Sequence, residues 1–312
     1  MAEPPSVWTR RAFAPAHLTG FFEIRDEHAN PYHQGSRGAG LNIEVGVEAK
    51  VTVREAAPTR TVRINGVIDT APVVHTTLSG LLGDAYPAAV EVDLSSPLPA
   101  SQGFGLSGAG ALSTGLALAA MLGFPTKNAL WEAHKAEVTH RTGLGDVPAQ
   151  FVGGAEIRVT PGPMPIGVVE RFAGLDSRRL DVVCCTLDVP ISTRVVLGDA
   201  AARARINAAG AECVEKLRAE PTLARYMALS TEFAARAGLT SPELADALLT
   251  ARRFGPATQT MLGNSLHLLL DSKATPASDV EAAMKALSAH GQVVRTKIAQ
   301  RGAHALPPDE NG

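Results

Sequence analysis

The chain has 312 residues, enough for one large or two modest domains, and its 45% hydrophobic and 19% charged content is that of a globular protein, not a disordered one. A net charge of −2 offers no general surface for nucleic acid, and MAEPPSVWTRR at the amino end lacks the apolar core expected of a signal peptide. The three cysteines, Cys184, Cys185 and Cys213, form no C-x-x-C pair, which argues against a disulfide framework or zinc site and for buried thiols in a reducing cytoplasm.

In chain order, Ser6–Gly20 reads as a strand feeding a loop. The Val-rich LNIEVGVEAKVTVRE over Leu41–Glu55 alternates partly with period two and predicts a strand or hairpin; Thr61–Val67 and Ala89–Leu94 predict further strands. A Pro- and Ser-rich loop, SSPLPASQ, follows. Small apolar residues predict a buried helix over Ser107–Leu122. Its most apolar window, Ala109–Phe124, is shorter than the roughly 20 residues that span a bilayer, so no membrane segment is expected. A second helix is predicted over Lys127–Arg141, broken by TGLGD, and a strand over Glu156–Thr160.

Pro161–Arg178, Pro- and Gly-rich and then charged, is the candidate domain boundary. Beyond it LDVVCCTLDV reads as a buried strand, and the rest as mostly helical: Asp199–Arg218, Thr222–Ala237, Ser241–Arg253 and Asp279–Ala289. GQVVRTKIA predicts a last strand, RGAHAL an end-piece and PPDENG a disordered tail. Strands lead and helices follow, an α+β pattern rather than a βαβ alternation. The expected division is 1–176, 177–306 and a tail at 307–312.

Gly103, Gly105 and Gly108 in QGFGLSGAGALS stand in a G-x-G-x-x-G spacing. A dinucleotide fingerprint needs a strand running directly into a tight turn, and here two prolines and a long loop intervene. No lysine occurs between Lys50 and Lys127, which excludes a Walker A loop, and the H-R-D and D-F-G elements of protein kinases are missing. A glycine-rich loop opening a helix remains. Its free N–H groups and dipole favour an anion such as phosphate, and Ser107 at the helix start can cap it or offer a hydroxyl to phosphate or Mg²⁺. The residues alone equally allow glycines that only let a buried helix pack closely.

PASQGFGLSGAGA, Pro99–Ala111, resembles the second motif of the GHMP small-molecule kinases (galactokinase, homoserine, mevalonate and phosphomevalonate kinases), which reads P-x-x-x-G-L-G-S-S-A. Pro99, Gly103, Gly105, Ser107 and Ala109 match; Phe104 and Leu106 depart, so the first serine of the pair is missing. FAPAHLTGFFEI resembles the first motif, and AHKAEVTHRTGLGD the acidic helix and its following loop. NPYHQGSRGAGLNIEVG and TMLGNSL depart from the broad family and resemble its archaeal pantoate kinase branch.

The resemblance implies a two-domain GHMP-kinase-like α+β fold, with a ribosomal-protein-S5-like N-terminal domain and a ferredoxin-like α+β C-terminal domain. It implies ATP phosphates held by Pro99, Ser101, Gly103, Gly105, Leu106, Ser107, Gly108 and Ala109, Mg²⁺ held by Ser107 and Glu137, and Asp146 as base toward the hydroxyl of pantoate. From the residues alone, Glu137 is equally a solvated helix charge and Asp146 a helix cap before VPAQF. The partners expected are ATP and a small acid, with a homodimer as assembly and neither nucleic acid nor membrane.

A carboxylate substrate needs cations. GSRGAG places Ser36 and Arg37 in a glycine-flanked loop suited to gripping one, and Arg158 in AEIRVT projects opposite Ile157 and Val159, toward substrate or a solvated face. His17 and Thr19 in APAHLTG suit substrate hydroxyls, with a satisfied structural histidine as the alternative for His17. His140 reads as a supporting or surface group, and Asn264 in MLGNSL as the start or cap of a helix. The rival functions are a kinase for another acceptor (the mevalonate or homoserine class) and a nucleotide-binding regulatory module without turnover.

Overall fold

A computed structural model describes residues 6–172, 180–188 and 200–308. The far part of the expected boundary (173–178), Val189 of the expected buried strand, the expected helix start Asp199 and the tail from 309 lie outside the described residues.

Two long strands, β1 (Val7–Arg25) and β2 (Gly35–Arg54), pair antiparallel along nearly their whole length. Strands β3 (Thr59–Ile64), β4 (Val67–Ile68) and β5 (Ala89–Ser95) extend the sheet on one side, while β6 (Ala155–Thr160) pairs with the other half of β2 and β7 (Val168–Arg171) pairs with β6. Alternation was a partial guide because β1 is buried on both faces from Ala14 to Ile24. Bulges at Pro15/Ala16 and Thr19/Phe21 mark where it passes from one core to the other.

The first core lies under α1 (Pro72–Leu82), α2 (Leu106–Leu122) and α3 (Thr126–His140). Helix α2 is buried from Gly108 to Ala119, as a helix of Gly, Ala, Ser and Leu packed on all sides must be. Helix α1 was missed: its β-branched Val and Thr residues lower helix propensity, and packing overrides them. Also missed was β7, within the expected boundary, while α4 (Asp146–Val152) was foreseen only in the alternative that made Asp146 a helix cap before VPAQF.

The second sheet has the order β11-β8-β10-β9, from β8 (Leu180–Thr186), β9 (Ala257–Thr260), β10 (Ser265–Asp271) and β11 (Gln292–Lys297). Helices α5 (Ala200–Ala219) and α6 (Leu223–Ala237) pack against the first sheet, whereas α7 (Pro242–Ala251) and α8 (Ala277–Leu287) cover the second. The β9–β10 hairpin corrects the expectation at Asn264. No helix starts there, because TQTMLGNSLHLLL turns at Leu262 (φ 63°) and pairs back on itself. A second correction concerns residues 298–306. Expected with the second domain, they run along the first sheet, where Ile298 bridges Ile43 and β12 (His304–Ala305) pairs with β1.

All three cysteines are buried and free, and among the described residues no helix is long and apolar enough to cross a membrane.

His134 on α3 is 1% exposed and reaches the Gln34 carbonyl at 3.0 Å. Burial drives its pKa from 6.5 down to about 4, so the ring is neutral in the fold. The unfolded chain therefore binds the extra proton first, and stability present above pH 6.5 is lost as pH falls toward 4. The expected loss is about 3 kcal/mol. Urea unfolding at pH 7 and 4.5, compared with His134→Gln, checks it: the variant should lose this part of the slope.

Candidate active site

A cavity of about 760 Å³ opens where the two sheets meet. Residues 98–101 and 103–107 form one wall, residues 141–146 another, and Thr19, Ser36, Arg158, Met261 and Leu262 close it.

The glycine-rich loop owes its shape to left-handed backbone at Ser101 (φ 60°), Gly103 (φ 83°) and Gly105 (φ 61°). Gln102 fastens it to the second sheet. Its side-chain amide donates to the Leu187 carbonyl at 2.8 Å, its Oε1 accepts from the Asn264 amide at 3.2 Å, and its backbone carbonyl accepts from Ser265 Oγ at 2.7 Å. From below, Gln150 Nε2 donates to the Gly105 carbonyl at 2.8 Å. Leu106 and Ser107 are the first residues of α2, so their N–H groups have no intrahelical acceptor. Ser107 Oγ reaches Thr142 Oγ1 at 3.3 Å.

Of the eight residues expected around phosphate, Pro99, Ser101, Gly103, Gly105, Leu106 and Ser107 line the cavity. Gly108 and Ala109 do not. The Ala109 amide is spent on the Gly105 carbonyl at 3.0 Å and the Gly108 amide on the Glu137 carboxylate.

Glu137 is 1% exposed near the end of α3. Its carboxylate accepts from the Gly108 and Val147 amides, at the starts of α2 and α4, while Oε1 has no partner in the protein. Arg141 (φ 54°) reverses the chain and brings Asp146 back as the first residue of α4. A β-carbon built on Gly143 would lie 2.6 Å from Glu137 Oε1 and 2.8 Å from Asp146 Oδ2, so glycine there lets the two carboxylates face one another. Burial and then the Asp146 charge push the Glu137 pKa well above the ordinary range. Burial alone would raise Asp146, but the His17 hydrogen bond and charge outweigh it and hold Asp146 below its ordinary value. The solvated-charge alternative for Glu137 is thus excluded.

The described residues contain no ready cluster of three or more His, Cys, Asp or Glu side chains for a metal. The orphaned Glu137 Oε1 and the Ser107 hydroxyl are nonetheless hard oxygen donors beside the phosphate loop, the donor type that suits Mg²⁺.

His17 is fully buried and hydrogen-bonded through both ring nitrogens, Nδ1 to Asp146 Oδ1 at 2.8 Å and Nε2 to Glu156 Oε1 at 2.9 Å. Burial is the largest influence on its pKa and lowers it; the two carboxylates together overcome that and hold the ring above 6.5. Thr19 Oγ1 lies 3.1 Å from His17 Nδ1 and 3.5 Å from Asp146 Oδ1. Arg158, 2% exposed, donates to Glu156 Oε1 at 2.6 Å, so it faces the interior rather than solvent.

The expectation for Arg37 is corrected. GSRGAG is strand, not loop, and alternation points Ser36 into the cavity and Arg37 away from it. Arg37 instead pairs with Glu23 at 3.1 Å and with Glu215. His140 contacts Thr76 at 2.7 Å, and Asn264 Oδ1 accepts from Ser241 Oγ at 3.1 Å, so neither reaches the acidic pair. Gln102, Thr142, Gln150 and Glu156 belong to the site and were not foreseen. Only Glu156 carried a signal, standing two residues before Arg158 in a strand and hence on the same face.

Residues 70–154 match the model of the GHMP kinases N terminal domain. The pantoate kinase of Thermococcus kodakarensis is 34% identical over 267 residues, covering 83% of this chain and 87% of the relative. That of Methanocaldococcus jannaschii is 32% identical over 257 residues, covering 82% and 91%. A solved structure described as a phosphotransferase related to the CoA biosynthesis pathway superimposes with a TM-score of 0.84 at 30% identity, covering 96% of this chain and 98% of that one. With most of its length aligned to these relatives and its cavity built on the glycine loop and acidic pair that first suggested the kinship, the chain belongs to the pantoate kinase family of GHMP kinases.

Proposed function

We propose that this chain transfers the γ-phosphoryl group of ATP to the primary hydroxyl of (R)-pantoate, giving 4-phosphopantoate for coenzyme A synthesis in the cytoplasm. The observation that carries the chemistry is an ionised Asp146 in the cavity wall, held by His17 at 2.8 Å beside the phosphate loop. Asp146 orients the acceptor hydroxyl and takes its proton. The unspent amides of Leu106 and Ser107, at the positive end of α2, meet charge developing on the phosphoryl oxygens. Ser107 and Glu137 would hold Mg²⁺, which when bound supplies the positive charge that lets Glu137 and Asp146 stay ionised together. Arg158 and Ser36 face the acceptor's carboxylate, and Thr19 its hydroxyls.

An ADP-release assay across small hydroxy acids tests this: pantoate should be turned over, and mevalonate and homoserine at least a hundredfold less efficiently. Turnover of either rival above pantoate would sink the acceptor assignment. Arg158→Lys keeps the charge but loses the planar fork, so KM for pantoate should rise roughly ten- to a hundredfold with KM for ATP little changed, measured by varying each substrate in turn.

A further inference from the structure

We propose that Glu156 is a positioning residue of the acceptor site, one carboxylate oxygen of which fixes both the Arg158 guanidinium and the His17 ring in their working orientations. The proposal rests on the reading of the cavity as an acceptor site. Glu156 is fully buried, and its Oε1 accepts from Arg158 at 2.6 Å and from His17 Nε2 at 2.9 Å.

The strand register explains how three residues from distant parts of the chain meet on one atom. His17 lies on β1 and Glu156 and Arg158 lie on β6, with β2 between them. Gly40 of β2 pairs with Glu156, and Gly38 pairs with Arg158. A β-carbon on Gly40 would lie 2.2 Å from His17 Nε2, and one on Gly38 would lie 2.6 Å from a terminal nitrogen of Arg158. The glycines of GSRGAG are thus a bare strip across which the imidazole and guanidinium converge on Glu156. Side chains at 38 or 40 would hold them apart.

The groups facing this centre are Asp146 of α4, Thr19 of β1 and Arg158 of β6, with His267 of β10 and Tyr226 of α6 behind it. Two cations, His17 and Arg158, stand against two anions, Asp146 and Glu156. The Glu156 Oε2 and Arg158 Nε atoms are buried without a partner in the protein. A buried carboxylate left half-satisfied costs stability, so packing alone does not call for it here. Its effect is directional. Arg158 is anchored at one end and keeps its remaining donors for a ligand. His17, held at Nε2, presents Nδ1–H to Asp146.

Glu156→Gln in the full chain tests the proposal, since the amide preserves shape and removes charge. KM for pantoate should rise about tenfold or more while KM for ATP stays within twofold. With the imidazolium no longer held opposite Asp146, the acid limb of the kcat/KM profile for pantoate should move to higher pH. Unchanged KM for pantoate with a superimposable pH profile would overturn the assignment, whatever happens to the melting temperature. If the glutamine variant does not fold, Glu156→Asp keeps the charge but is one methylene too short to reach both partners, and the same two readouts decide. If the wild type does not phosphorylate pantoate, the acceptor assignment fails separately. Glu156 is then tested by ¹⁵N spectra of the His17 ring, assigned with His17→Asn. A His17 ring that loses its second proton at lower pH in Glu156→Gln than in wild type supports the role, and superimposable titrations refute it.

Discussion

Replacing Asp146 by asparagine is expected to reduce turnover by about a thousandfold while ATP binds within a few-fold of wild type. The amide cannot accept a proton, and its NH2 group, if turned toward His17, would set a donor against the Nδ1–H that now bonds Oδ1 at 2.8 Å. Both losses fall on the acceptor hydroxyl, and neither touches the amides of Leu106 and Ser107 or the glycine loop. Single-turnover measurements with saturating ATP, alongside calorimetric titration of a non-hydrolysable ATP analogue, separate the two effects. Turnover within threefold of wild type would place the base elsewhere. A matching loss of nucleotide affinity would mean that Asp146 acts through the phosphates and not through the hydroxyl.

The second large effect is expected at Gly263, far in sequence from the loop it supports. A β-carbon there would lie 2.0 Å from the Gln102 carbonyl oxygen and 2.2 Å from its carbon, and Gly103 on the facing side meets the Met261 carbonyl in the same way at 2.8 Å. Backbone confronts backbone, so no rotamer change relieves the clash. Gly263→Ala must push the phosphate loop away from the β9–β10 turn and break the Gln102 and Ser265 hydrogen bonds. The expected cost is about 2–3 kcal/mol of stability, together with a rise in KM for ATP of at least about tenfold as the loop amides lose their aim. Chemical unfolding and steady-state kinetics read the two, with Gly66→Asn as control. That glycine has positive φ, but nothing lies within 4 Å of its would-be β-carbon, and asparagine tolerates the conformation.

What could be read ahead of the structure followed from how local each signal is. Helices α2 and α3 were legible because their composition and punctuation are self-contained, and Asp146 because one short loop ties it to Glu137. The GSRGAG stretch was misread, and Arg37 with it, because glycines usually signal a loop. Here they are strand residues whose missing side chains make room for His17 and Arg158, a requirement imposed by the neighbouring strands β1 and β6. Asn264 was misplaced for a similar reason, since a hairpin and a helix start share turn residues and only the pairing of β9 with β10 decides. Gln102 and Gln150 act on groups distant in sequence, and no window around them shows it, whereas Glu156 shows its local partner Arg158 but not its distant partner His17.

The return of residues 298–306 to the first sheet bears on how the protein is made. In that stretch the Ala299 amide donates to the Asn42 carbonyl, the Gly154 amide to the Ala299 carbonyl, the Ala303 amide to the Gln150 carbonyl and the Leu306 amide to the Arg11 carbonyl. That edge of the first sheet is thus covered by a segment the ribosome adds only after the whole second sheet. Until then β1 has an open flank and Gln150, which supports Gly105, lacks its lacing. During synthesis the nascent chain carries the glycine loop and the acidic pair for a long interval without the piece that secures them. A fragment ending before residue 298 would therefore carry the glycine loop and acidic pair without the segment that secures them.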